Sequence, residues 1–121
     1  MLGDDTAQFA FTKPSLLLVG DHEFSVSYWA DFLPIICELY NKENHDAFME
    51  IANPDKISAF GFEDDEHKYS ENTSFAHVAD NLYVRQFMSA ANILDTVTKI
   101  SAAFDKAAGT DYAGNILFAL K

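Results

Sequence analysis

The chain has 121 residues, 49% of them hydrophobic, and its 19 acidic against 8 basic side chains leave a net charge of −11. That length and apolar content suit one hydrophobic core, while eleven Phe and five Tyr exclude global disorder, whose signature is few aromatics at high charge. A single cysteine, Cys37, excludes an internal disulfide framework and thiolate metal clusters.

Met1 to Phe11 carries Asp4 and Asp5 in place of a basic segment followed by an apolar run, so it does not read as a secretory signal. No stretch approaches the roughly eighteen consecutive apolar residues that span a bilayer. The expected location is the cytoplasm. An acidic surface is repelled by anionic lipid and by the DNA backbone, so neither a membrane nor nucleic acid is expected as a direct partner.

Residues 1–13 read as an extended lead-in and residues 14–121 as one α+β domain. Ser15 to Val19 is a short apolar run, Gly20-Asp21 suits a two-residue turn, and His22 to Val26 alternates with Phe24 and Val26 on one face, which predicts a hairpin. Ser27 is placed to cap a following helix. Trp29, Phe32, Leu33, Ile36, Cys37 and Tyr40 recur at helical spacing and form one apolar stripe. Pro34 falls inside that stripe and cannot donate to the carbonyl of Ala30, which predicts a kink or a late helix start. A shorter helix over His45 to Ala52 would bury Phe48 and Ile51 and stop before Asn53-Pro54.

Ile57 to Phe62 has strand character, while Glu63-Asp64-Asp65-Glu66 and the polar stretch to Ser74 read as an exposed loop. Leu82 to Phe87 returns to β-type composition. Ser89 is the expected cap of a long helix with the stripe Ile93, Leu94, Val97, Ile100 and Phe104, and Gly109 is its expected stop. Ile116, Phe118 and Leu120 alternate as a last strand. The predicted architecture is a small mixed or antiparallel sheet, built from the opening hairpin and a C-terminal β-α-β unit, with two to three helices on one face. That last unit would be a right-handed crossover joining parallel strands.

The run Ser27-Tyr28-Trp29-Ala30-Asp31-Phe32-Leu33 leading into Cys37-Glu38-Leu39-Tyr40, with the later Asn81-Leu82-Tyr83-Val84 and Met88-Ser89-Ala90-Ala91-Asn92-Ile93-Leu94, resembles a small α+β domain of bacterial and phage proteins. That domain is associated with restriction and other DNA-processing systems, and the resemblance covers about residues 14–120. It implies an accessory or regulatory role through a hydrophobic protein interface. Where that domain has a basic segment ahead of the third strand, this chain has Ile57 to Phe62 followed by four acids.

Chemistry is sparse. There is no Gly-x-Ser-x-Gly, the five glycines are too scattered for a phosphate loop, and Cys37 sits in an apolar stripe where a thiol behaves as an inert hydrophobe. Asp64, Asp65, Glu66 and His67 are adjacent, yet neighbouring side chains of an extended segment point to opposite faces and do not gather around an ion. No enzyme activity, metal or cofactor is expected. What remains is charge. Between Glu43 and Asp80 ten acids face two bases, Lys56 and Lys68. In an extended segment residues advance about 3.3 Å, close to the roughly 3.4 Å between phosphates on one DNA strand. Glu63, Asp64, Asp65 and Glu66, with Phe60, Phe62 and Tyr69 as aromatic anchors, are therefore the expected contact residues for a protein partner with a basic surface.

Overall fold

A computed structural model describes residues 13–121, so the expected lead-in lies outside the described residues except for Lys13. Three helices and two separate three-stranded antiparallel sheets make up an α+β fold. The first sheet joins β1 (Pro14–Val19), β2 (His22–Ser25) and β6 (Ile116–Leu120) in the order β2-β1-β6. The second joins β3 (Phe60–Phe62), β4 (Phe75–Ala79) and β5 (Leu82–Arg85) in the order β3-β5-β4.

The opening hairpin forms as its turn chemistry predicts, with Val19 opposite His22 across Gly20-Asp21. The helix after it does start late. A single 3₁₀ turn, Trp29–Asp31, leads into α1 (Phe32–Glu43), so Pro34 lies in the first α-helical turn, where its missing N–H costs nothing. Ser27 is not the cap. Its N–H and that of Tyr28 both donate to Asp31 Oδ2 at 3.0 Å, so the aspartate closes this corner. α2 (His45–Ile51) starts at Asn44, whose side chain accepts from the Ala47 N–H, and it buries Phe48 and Ile51. α3 (Ala90–Ala108) starts at Ser89, which accepts from the Asn92 N–H, and stops at Gly109. There the backbone turns left-handed (φ 74°), a conformation that costs glycine no Cβ clash.

Two expectations about strands are corrected. Only Phe60–Phe62 of the expected strand pairs; Ile57 is buried in the preceding loop. The strand–helix–strand succession is real, but β5 and β6 belong to different sheets and β6 runs antiparallel to β1, so no parallel crossover exists. β4 was not legible as a strand. Its register shifts between His77 and Ala79, which puts Val78 and Ala79 both inside and erases the period-two signature.

One core joins both sheets to the helices. α1 packs on β4 and β5, and α2 and α3 pack on α1 and on each other. The rings of Trp29 and Phe32 meet Phe118 of β6 at 5.3 and 6.1 Å, tying the start of α1 to the first sheet. Phe48 of α2 meets Phe60 of β3 edge-on at 6.0 Å, tying the helices to the second. Between α1 and α3, Tyr40 and Phe104 stack face to face at 4.4 Å, and the Tyr40 hydroxyl shares a 2.6 Å hydrogen bond with Ser101, the one buried polar side chain of the described residues.

Candidate functional site

The second sheet sets the acidic loop in place. Side chains alternate along a strand, so Phe60 and Phe62 share one face of β3 and Gly61 takes the other. The shared face is the core side. Phe60 is only 3% exposed and packs within the core, which removes it as a partner anchor; Phe62 is half-buried against the same core. The Phe-Gly-Phe alternation carries that signal in the sequence.

On the outer face the chain returns over Gly61. Tyr69, in a single 3₁₀ turn (Tyr69–Glu71), lies so close that a Cβ on Gly61 would stand 2.5 Å from its ring carbon Cζ. Phe75 of β4 and Tyr83 of β5 flank that ring at 4.7 and 6.1 Å, and His67 lies nearly parallel to it at 6.2 Å. Tyr69 therefore lies on the outer face of the second sheet and is seated on it. Phe75, His77 and Tyr83, which complete the cluster, were not singled out from sequence, although Tyr83 between the buried Leu82 and Val84 is a clear alternation signal. We expect Gly61→Ala to cost about 1–3 kcal/mol, since Tyr69 must leave its seat; denaturant unfolding, with the Tyr69 ring resonances as a local probe, measures it.

Two of the four acids are spent on holding the loop. Glu63 accepts from the Ser70 hydroxyl at 2.5 Å and the Ser70 N–H at 2.8 Å, closing the neck of the loop. Its own N–H donates to Asn81 in the β4–β5 turn, and the Asn81 amide donates back to its carbonyl. Asp64 Oδ1 accepts from the backbone N–H of Glu66 and His67 at 2.9 and 2.7 Å, and lies 3.0 Å from His67 Nδ1. The Ser70 hydroxyl and amide hold the Glu63 carboxyl below the usual range, and the His67 ring and the two amides do the same for Asp64. A carboxyl whose folded pKa is depressed supports the fold above its unfolded value and ceases to as pH falls through the folded one. The loop should therefore loosen below the ordinary carboxylate range, seen as faster amide exchange at His67 and Ser70 while the α3 amides remain protected.

Asp65 and Glu66 are exposed, and neither carboxylate has a hydrogen bond or ion pair within the described residues. No Lys or Arg among the described residues lies within ion-pair distance of the four acids. Nor do any three His, Cys, Asp or Glu of the described residues gather as a metal site. Cys37 is fully buried, and burial pushes its thiol far above the range in which a reactive thiolate forms. No helix of the described residues is long and apolar enough to cross a membrane. Compared with protein-family models, curated proteins and solved structures, the chain matches none.

A second well-ordered carboxylate lies at the far end of α3. Although burial opposes its charge, Asp105 is held below the usual range by the Thr110 hydroxyl and the Ala113 and Tyr112 amides. Tyr112 in turn donates to Glu43, and burial together with that carboxylate pushes its hydroxyl up to about 12. These bonds fasten the α3–β6 connection.

Proposed function

We propose that this chain is a non-catalytic protein-interaction domain, an inhibitor of phage or mobile-element type, that presents nucleic-acid-like charge to a basic groove and blocks a nucleic-acid-binding protein. The observation that carries the reading is the division of labour in the loop: Glu63 and Asp64 rigidify it from within, while Asp65 and Glu66 are exposed and make no ion pair among the described residues. A pre-ordered anionic loop loses little conformational entropy on docking and steers a cationic partner over a long range.

Competition tests it. Added to purified basic DNA-binding proteins, restriction endonucleases first, bound to labelled duplex, the chain should displace the duplex and lose that ability between roughly 50 and 200 mM salt. Displacement that salt does not affect, or none across the panel, overturns the reading.

A second reading, an accessory domain of a restriction or DNA-processing system, is supported by the groove between β2 and α1, where half-buried Phe24, Ile35 and Leu39 offer an apolar surface. Its association would be insensitive to salt and indifferent to Asp65 and Glu66.

A further inference from the structure

An interface steered by charge still needs apolar anchors, since a few aromatic side chains supply most of the binding energy. The three aromatics near the acidic loop are committed elsewhere: Phe60 and Phe62 to the core, Tyr69 to Gly61. Two others are not. Tyr28 is 58% and Phe87 56% exposed, and both line one groove of ≈ 590 Å³ together with Ala30, Asp31, Gln86 and Met88. Asp31 fixes the backbone at Tyr28 through its two amide bonds, and Phe87 stands between the end of β5 and the Ser89 cap, so both rings are carried by anchored backbone.

The C-terminal end of the acidic loop reaches this groove, while the loop's acids lie toward the other end of β5, where Glu63 is bonded to Asn81. The Gln86 that lines it donates its N–H to the Ser74 carbonyl at 2.9 Å and its Nε2 to the Thr73 carbonyl at 3.1 Å, holding the loop's C-terminal end beside the aromatics. One face of the Tyr28 ring takes a cation, the chain's own Lys13 ammonium at 5.2 Å from the ring centre, and Asp31, whose carboxylate accepts from the Ser27 and Tyr28 N–H, adds negative charge beside it. Met88 adds an adaptable apolar contact. The net charge of −11 opposes the approach of an acidic occupant.

We infer that the groove between Tyr28 and Phe87 is the apolar anchor site of this interface, and that its occupant is a basic amphipathic segment of the protein partner, an apolar side chain entering between the rings with Lys or Arg beside it. The inference rests on the acidic-loop reading for the partner's charge. Two synthetic peptides test it on the intact isotope-labelled chain by NMR titration: a lysine–leucine amphipathic peptide, and the same peptide with every Leu replaced by Ser. The leucine peptide should bind ~10-fold or more tightly than the serine one, shifting the amides of Tyr28, Phe87 and Met88 along with Thr73 and Ser74. Tyr28→Ser with Phe87→Ser should remove that advantage and leave the serine peptide's affinity as it was; Phe87→Ser alone, at an exposed position, should give part of the loss.

Equal binding of the two peptides, or an unchanged advantage in the double variant, overturns the anchor site and leaves the loop reading standing. If instead Asp65→Asn with Glu66→Gln changes neither affinity while the groove variant weakens the leucine peptide, the loop reading fails and the anchor site is supported. Shifts at Tyr28 and Phe87 on dilution without peptide would assign the groove to a second copy of the chain and overturn the inference.

Discussion

Phe104→Ala should destabilise the protein by about 3–5 kcal/mol, the range for deleting a fully buried aromatic ring. Phe104 is 0% exposed and lies 4° from parallel with Tyr40 at 4.4 Å, while Tyr112 closes on the same pair at 5.2 Å from Tyr40. Removing it empties the seam between α1 and α3 and leaves the Tyr112 strap without its floor. For a domain of this size that is roughly a 10–20 °C fall in melting temperature, a large part of the about 5–15 kcal/mol that holds an ordinary domain together. Tyr40→Phe is the control: it keeps the stacked ring and removes only the bond to Ser101, so it should cost about 1 kcal/mol. Calorimetry on the two variants checks the ordering, and equal losses would show that the hydroxyl pair, and not the ring stack, dominates this seam.

Asp65→Lys with Glu66→Lys should abolish duplex displacement while leaving the fold intact. These two carboxylates are exposed and make no hydrogen bond or ion pair among the described residues, so their reversal should move stability by no more than about 0.5 kcal/mol. Charge of the wrong sign at the tip of the loop costs steering, and the association rate should drop by ~100-fold or more at low salt. Reversing Glu63 and Asp64 is a poorer experiment, because both hold the loop and their loss would mix disorder with charge. Stopped-flow association with a DNA-binding protein displaced by the wild type measures the rate, and thermal unfolding in parallel verifies the fold. An unaltered rate would refute the charge-mimicry proposal.

The helices were legible in the sequence because each writes its buried face as a period near 3.6. Every residue of the expected α3 stripe is buried, as are Phe32, Leu33, Ile36, Cys37 and Tyr40 of α1. Caps at Ser89 and Gly109 were equally legible, being local hydrogen-bond chemistry. The cap expected at Ser27 does not form because a 3₁₀ turn precedes α1 and the Asp31 carboxylate takes the Ser27 and Tyr28 amides instead. β4 escaped for a different reason: its bulge and its alanines leave no alternation to detect.

In the site, the acids themselves could be read from the chain, but their roles could not. Adjacent Glu63, Asp64, Asp65 and Glu66 are chemically alike in sequence, and only Ser70, seven residues on, and the His67 amide separate the two that hold the loop from the two that face outward. Likewise Tyr28 and Phe87 lie 59 positions apart, and nothing local predicts that they share a groove.

What the chain determines by itself is whatever depends on near neighbours: three amphipathic helices, one tight hairpin, a last alternating strand and a concentrated acidic run. Tertiary structure decided which strands pair, and so split the strands into two antiparallel sheets, placed Phe60 inside, and seated Tyr69 on Gly61. The reason is physical. Helical periodicity and caps act over a few residues, whereas strand pairing joins segments as distant as Val19 and Ile116 and is settled by which faces bury the most apolar surface together.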